Sequence, residues 1–217
     1  MNSPTPQSSV VIPPSLLSQP FWDDVLQNIP FCISLKKAFP DILQEMQGFI
    51  RTAHPFIDFP KYGNLYSNTW EAFPLSIFEG EFINRAHDPQ GLNLKQFEQL
   101  VDFARNQLPF TSALLGPMEA QGHLRNAFIS RLLPGSNIHP HRGWTAEFLR
   151  IHLGLVCDPD CQITLDQVSK TWKAGQLLSF LDGGPFLHSV SHRGKHERIV
   201  MSVDLRLSYV LQFMPHI

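Results

Sequence analysis

The sequence has no marked excess of charge of either sign. Only 17% of its 217 residues are charged, and 17 basic against 19 acidic residues give a formal net charge of −2. Proteins that bind nucleic acid or an anionic membrane surface through electrostatics carry a clear basic excess. We therefore expect neither nucleic acid nor a membrane as a partner.

Cysteines are few, and long apolar runs are missing. Cys32, Cys157 and Cys161 are too few, and odd in number, for the disulfide framework of a secreted protein. The CxxxC spacing of the last two lacks the second pair that a structural zinc site needs. No run of about 18 apolar residues could cross a membrane, and no basic stretch followed by an apolar one marks an export signal. These absences predict a cytoplasmic protein.

The length is sufficient for one domain with a substantial core. Residues 1–20 contain five prolines and five serines, a composition that buries too little apolar surface to offset the entropy lost on ordering. We predict a flexible Pro/Ser-rich tail over 1–20 and a single domain over 21–217.

Helical patterns are concentrated in the first half of the chain, and strand patterns in the second half. Apolar spacing predicts two short helices between 21 and 47, with interruptions at Pro30 and Pro40, and a further helix over 93–107. An early strand is predicted over 72–78. After Pro109 the pattern is that of short strands separated by turns. The predicted class is α+β, mainly β, with a double-sheet barrel or jelly roll.

Ten histidines are many for this length, and five of them lie between 139 and 192. In the motif His139-Pro140-His141-Arg142-Gly143, a glycine stands where the HxD motif of a non-haem iron site has its carboxylate. The spacing alone also fits a turn with exposed imidazoles.

Two further segments place basic residues on strands that should be buried. Arg150 and His152 alternate with apolar residues and so share one strand face, which fits either an enclosed anion site or a solvated outer face. Arg198 begins a strand that is otherwise apolar. A buried arginine requires a partner, and the carboxylate of a ligand would match its guanidinium.

Four segments in a fixed order identify a family. They are Ser130-Arg-Leu-Leu-Pro-Gly-Ser-Asn-Ile-His-Pro-His-Arg-Gly-Trp-Thr145, Leu149-Arg-Ile-His-Leu-Gly-Leu155, Trp172-Lys-Ala-Gly-Gln-Leu-Leu-Ser-Phe180, and His188-Ser-Val190 followed by Arg198 and Asp204. Together they resemble the aspartyl/asparaginyl β-hydroxylase family of 2-oxoglutarate-dependent oxygenases. The resemblance extends over about residues 55–205.

The resemblance implies a double-stranded β-helix of the jelly-roll or cupin-like kind, with supporting N-terminal helices. It implies Fe(II) bound by His141 and His188 alone, since members have a glycine at the position of Gly143. Ser130 and Arg198 would bind the distal carboxylate of 2-oxoglutarate. Arg150 and His152 would lie near its metal-bound end.

The implied activity is that of an Fe(II)- and 2-oxoglutarate-dependent dioxygenase. It would use O2 to hydroxylate an amino-acid side chain, by default the β-carbon of Asp or Asn, and release succinate and CO2. The substrate could be free, peptidyl or carrier-bound, and nothing in the sequence indicates the oligomeric state.

Two segments depart from the family pattern. Residues Gly143-Trp144-Thr145-Ala146 replace the usual GPTN, and residues 181–187 form a loop two residues longer and less acidic than the usual FDDS-like run. The first change predicts an indole in one wall of the site and an altered substrate. The second predicts a mobile loop.

Three alternatives remain open at this stage. Because Gly143 replaces the usual carboxylate ligand, a coordination position on the iron would be open. Chloride bound at that position would make the protein a halogenase. A jelly roll that had lost turnover would be a non-catalytic binding module. His192 competes with His188 for the role of second ligand, whereas His139 and His196 are expected to be bystanders.

Overall fold

A computed structural model describes residues 10–53, 56–59, 64–76, 94–143 and 145–214. Its α-helices are α1 (Pro14–Leu17), α2 (Pro30–Lys37), α3 (Phe39–Ala53), α4 (Leu94–Gln107), α5 (Pro109–Ala120) and α6 (Leu207–Val210), with 3-10 helices at Asp23–Asn28 and Leu211–Phe213. Its strands are β1 (Ile57–Asp58), β2 (Tyr66–Ser67), β3 (Trp70–Pro74), β4 (Leu124–Leu132), β5 (Asn137–His141), β6 (Phe148–Val156), β7 (Cys161–Leu165), β8 (Val168–Thr171), β9 (Leu177–Leu181), β10 (His188–His192) and β11 (Arg198–Arg206).

The strands form two antiparallel sheets. One has the order β1-β3-β4-β11-β6-β9 and the other the order β2-β5-β10-β7-β8. Consecutive strands alternate between the two sheets from β4 to β7 and again from β9 to β11, as in a double-stranded β-helix. The predicted α+β jelly roll with N-terminal helices is confirmed.

Strand β11 lies at the centre of the larger sheet, between β4 and β6. Its odd-numbered residues, from Ile199 to Leu205, pack into the core on the helical side. Its even-numbered residues therefore face the space between the sheets. This alternation places Arg198, Ser202 and Asp204 in one buried row.

The N-terminal segment covers the free edge of the larger sheet at β9. The Trp22 backbone N–H donates to the Ser179 carbonyl at 2.9 Å. Asp23 accepts the Ser179 backbone N–H at 2.6 Å and pairs with Lys170 at 2.6 Å. An edge strand covered in this way cannot pair with another chain.

Helix α5 is absent from the predicted element order, which was wrong in placing only strands and turns after Pro109. Pro109 occupies the first turn, where a missing N–H costs nothing. The cap is remote: the Glu45 carboxylate on α3 accepts the backbone N–H of Phe110 at 2.7 Å and of Thr111 at 2.9 Å. The sequence near Pro109 gives no sign of this cap, because the capping residue lies 65 positions away.

The other predicted elements lie close to the observed ones. Residues 21–47 form a 3-10 helix and the two helices α2 and α3, with α3 continuing to Ala53, because Pro30 and Pro40 both lie in first turns. The early strand is β3, ending at Pro74, and residues 77–78 of its predicted range lie outside the described residues.

The predicted tail is described in part. Residues 1–9 lie outside the described residues. Within 10–20, helix α1 buries Leu16 against the core to 2% exposure. Among the described residues, no helix is both long and apolar enough to cross a membrane.

Candidate active site

The site lies between the sheets, where β5 and β10 pair. The register sets His188 directly opposite His141, and their ring centroids are 4.1 Å apart. His188 is only 5% exposed. Two histidines 47 positions apart are therefore adjacent because of strand pairing.

Both imidazoles are suited to metal binding. His141 Nδ1 lies 2.8 Å from the His139 carbonyl, so Nδ1–H donates there and Nε2 retains its lone pair. His188 Nδ1 is buried and has no hydrogen-bond partner among the described residues. Burial lowers the pKa of His141 and holds that of His188 well below its usual value. Both rings are thus kept neutral, the form that ligates a metal.

Asp182 lies beside this pair, in the space that Gly143 leaves open. A Cβ added at Gly143 would overlap the Asp182 carboxylate, and the Gly143 N–H donates to the Asp182 carbonyl at 2.8 Å. Asp182 Oδ1 lies 3.3 Å from His188 Nε2. Among the described residues, no group of three His, Cys, Asp or Glu side chains is disposed to hold a metal. Asp182 is therefore a neighbour of the histidine pair, and its Oδ1 also accepts a hydrogen bond from Arg150 Nη1.

Arg150 connects the histidine pair to the larger sheet. Its Nε and Nη2 donate to the two Asp204 carboxylate oxygens, both at 2.8 Å, and its Nη1 donates to Asp182. Asn126 also donates to Asp204, at 3.0 Å. Burial raises the pKa of Asp182, and the ion pair with Arg150 opposes that rise.

Arg198 lies at the other end of the same cavity, and its partners are neutral. Its side chain is 2% exposed, Nη1 donates to Ser130 Oγ at 3.2 Å, and Nε has no hydrogen-bond partner in the described ranges. Its guanidinium carbon lies 4.9 Å from the centre of the Trp172 ring. Within the described part of the chain, the groups that oppose the effect of burial on the pKa of Arg198 are the Cys161 thiol, which also forms a hydrogen bond with it, and the Cys157 thiol, and neither is a carboxylate.

The Ser130 hydroxyl has a defined orientation. It accepts the Trp70 indole N–H at 2.9 Å as well as the Arg198 guanidinium N–H. Because both lone pairs accept, its own O–H is left to donate. A ligand carboxylate placed between Ser130 and Arg198 would receive both a hydroxyl and a guanidinium hydrogen bond.

His152 lies between the two arginines along the cavity. It faces Ser202 across the β6–β11 pair, between Asp204 and Arg198. Its Nδ1 accepts the Trp172 indole N–H at 3.2 Å. Burial, reinforced by Arg198 and Arg150, holds the pKa of His152 well below its usual value.

One cavity brings together all six candidate residues, namely Ser130, His141, Arg150, His152, His188 and Arg198. The rival His192 lies four residues along β10 from His188, about 13 Å away at strand spacing, and opposite Cys161. It is buried at 1% exposure, and its Nδ1 accepts the Gly194 N–H at 3.3 Å. The register thus places His188, and not His192, opposite His141.

Four partner residues were not predicted to have a place in the site. The sequence places Asp182 in a less acidic loop, Asp204 and Trp172 in the matching segments, and Trp70 only within the range of about 55–205 over which the resemblance extends. Each contacts a candidate residue across the sheet or between strands. The indole predicted in one wall, Trp144, lies outside the described residues.

This is a jelly roll with a buried histidine pair at one end of a cavity and a buried arginine at the other. The model of the Aspartyl/Asparaginyl beta-hydroxylase family matches residues 36–207. The chain therefore belongs to the aspartyl/asparaginyl β-hydroxylase family.

Relatives of known sequence agree with this family. Human aspartate beta-hydroxylase domain-containing protein 2 is 37% identical over 149 residues, 64% of this chain and 40% of that protein. Mouse aspartyl/asparaginyl beta-hydroxylase is 35% identical over 100 residues, 45% of this chain and 13% of that protein. The chain thus matches less than half the length of these relatives.

Among solved structures, a prolyl-4-hydroxylase from Pseudomonas putida is 16% identical. It matches with a TM-score of 0.43, covering 76% of this chain and 86% of that one.

Proposed function

We propose that this protein is an Fe(II)- and 2-oxoglutarate-dependent dioxygenase that hydroxylates an amino-acid side chain. The observation that carries the proposal is the buried Arg198 guanidinium, which has a hydroxyl and an indole face beside it but no carboxylate from any residue that the structure describes. A desolvated charge of this kind is costly unless a ligand neutralises it. A dicarboxylate whose other end reaches the histidine pair would do so.

The residues fit both groups. Fe(II) would be held by the neutral imidazoles of His141 and His188, and would supply the activation of O2 together with 2-oxoglutarate. Arg198 and the Ser130 hydroxyl would hold the distal carboxylate. His152 would lie beside the end of 2-oxoglutarate nearer the iron. Because the cavity measures only about 40 Å³, the side chains lining it must move to admit a five-carbon diacid.

The position of Asp182 favours hydroxylation over halogenation. Its carboxylate overlaps the volume next to Gly143, where a chloride ligand would otherwise find room. A carboxylate there repels a second anion. The default substrate is an Asp or Asn side chain, free, peptidyl or carrier-bound, as the family name suggests. A reducing, cytoplasmic compartment stays a prediction, and it fits the three free cysteines.

The experiment is succinate formation from 2-oxoglutarate under air with Fe(II), first alone and then with a panel of amino acids and peptides. His141→Ala and His188→Ala should abolish both Fe(II) binding and succinate formation. His196→Gln, outside the cavity, should leave both unchanged. A substrate mass gain of one oxygen supports hydroxylation, and a chloride-dependent gain supports the halogenase. Unchanged succinate formation in His141→Ala, or wild-type protein that binds neither Fe(II) nor 2-oxoglutarate, rejects the proposal.

A further inference from the structure

Trp172 contacts two of the residues assigned to 2-oxoglutarate. Its indole N–H donates to His152 Nδ1 at 3.2 Å, and its ring face lies 4.9 Å from the Arg198 guanidinium carbon. The side chain is 4% exposed and forms part of the cavity lining.

The hydrogen bond determines which nitrogen of His152 carries the proton. An indole nitrogen only donates, so His152 Nδ1 must accept and cannot be protonated. A neutral imidazole has one N–H, which must then be on Nε2. The bond also distinguishes the two ring orientations related by a flip about χ2, because only one of them presents Nδ1 to the indole.

The contact with Arg198 has a different effect. Arg198 has neutral hydrogen-bond partners, the Ser130 hydroxyl and the Cys161 thiol, and no carboxylate partner among the described residues. An aromatic face within about 6 Å attracts the cation without using any of its N–H groups. Trp172 therefore holds the guanidinium while leaving its donors available for a ligand carboxylate.

We propose that Trp172 is a positioning residue for 2-oxoglutarate, which sets His152 as an Nε2–H donor and holds Arg198 in place for the distal carboxylate. The inference rests on the proposed function, since 2-oxoglutarate is the ligand that both residues would bind. Trp172 acts through its neighbours and need not touch the reacting atoms.

The first test reads the tautomer directly. In protein labelled with [15N]histidine and free of metal, His152 at pH 7.5 should show a protonated Nε2 and a hydrogen-bonded, unprotonated Nδ1, assigned by loss of its signals in His152→Phe. Trp172→Phe should move the Nδ1 signal towards that of a nitrogen without a donor. A wild-type proton on Nδ1, or an unchanged spectrum in Trp172→Phe, overturns the inference.

The second test is ligand binding. Trp172→Phe should raise the Kd for 2-oxoglutarate about 2- to 12-fold, the equivalent of one neutral hydrogen bond, in calorimetry with Mn(II) in place of Fe(II). Trp22→Phe is the matched control, because Trp22 is also buried, on the helical side, and its indole N–H has no hydrogen-bond partner among the residues described. Trp22→Phe should leave the Kd unchanged.

A double variant separates positioning from a general loss of structure. If Trp172 acts through His152, adding Trp172→Phe to His152→Phe should raise the Kd by less than it does in the wild-type protein. Full additivity, or an unchanged Kd in Trp172→Phe, overturns the inference while the proposed function stands. Failure of the wild-type protein to bind 2-oxoglutarate rejects the proposed function instead.

Discussion

Two arginines lie in one cavity and differ in their partners: Arg198 is buried, and the Arg150 side chain is 13% exposed. Arg150 makes a bidentate pair with Asp204 and a third hydrogen bond to Asp182, so two carboxylates surround its charge. Arg198 is more deeply buried and has a serine hydroxyl, thiols and an indole face. This difference agrees with the proposal that Arg198 binds the distal carboxylate of 2-oxoglutarate, and it shows that Arg150 also connects two carboxylates of the protein itself.

The largest expected effect is on stability, in Arg150→Met. The substitution leaves Asp204 and Asp182 buried, at 2% and 6% exposure, without their cation. Removing one partner of a buried ion pair costs about 3–5 kcal/mol. Urea unfolding at pH 7 should show this loss, whereas Arg198→Met should lower the free energy of unfolding far less, because no carboxylate loses a partner. Equal losses in the two variants would contradict the comparison.

For ligand binding, we expect the large effect in Arg198→Met. A charge-assisted hydrogen bond contributes about 1.5–3 kcal/mol, which corresponds to a Kd for 2-oxoglutarate about 10- to 150-fold higher. Arg105→Met, which removes a partly exposed arginine paired with Glu119, is the control and should change the Kd little. A wild-type Kd in Arg198→Met would show that the unpaired guanidinium is not the carboxylate site.

A smaller effect is expected from Gly143→Ala, at the Arg150 end of the cavity. The new methyl group overlaps the Asp182 carboxylate, which must move away from Arg150 and His188. Overpacking of this kind costs about 1–3 kcal/mol. Because Asp182 is the group in the way, Gly143→Ala combined with Asp182→Ala should be less destabilised in urea than the sum of the single variants. Simple additivity would mean that another contact limits residue 143.

Only part of this cavity could be predicted from the sequence. Alternation predicts the strand that carries Arg150 and His152, an apolar run predicts the strand that Arg198 begins, and the family resemblance assigns the three residues a shared ligand. Alternation gives the face of a side chain but not its partner across the sheet. The pairing of Arg150 with Asp204, 54 positions away, depends on the register of β6 against β11, which no local pattern contains.

The roles of Asp182 and Glu45 also could not be predicted from local sequence. Asp182 looked like one residue of a lengthened loop, yet it fills the space left by Gly143 from a separate segment. Glu45 belongs to one amphipathic helix but caps the start of another. In both cases a carboxylate serves a site that is distant in sequence, and only the packing of separate elements brings the two together.

The smallest expected effect is on the pH dependence of the free energy of unfolding. It tests whether the charge of Arg198 is left unneutralised. His152 is neutral in the folded protein because burial, then Arg198, then Arg150 lower its pKa. The unfolded chain takes up this proton below about pH 6.5 and the folded one does not, so the free energy of unfolding falls as pH falls. For each such histidine, the free energy of unfolding falls by at most about 1.4 kcal/mol per pH unit. Above about pH 7.5 we expect no such loss of stability.

Metal-free wild-type and His152→Phe proteins are to be unfolded in urea from pH 7.5 to 5. The pH dependence of their free energies of unfolding should differ by up to about 1.4 kcal/mol per pH unit. Asp182, whose pKa is raised, contributes a slope of the opposite sign, but it is common to both proteins and cancels in the difference. Arg198→Met should reduce the loss at low pH, because removing the unneutralised guanidinium lets the pKa of His152 rise towards its usual value. If Arg198→Met leaves the acid loss unchanged, the charge of Arg198 is neutralised in some other way, and the contrast with Arg150 fails.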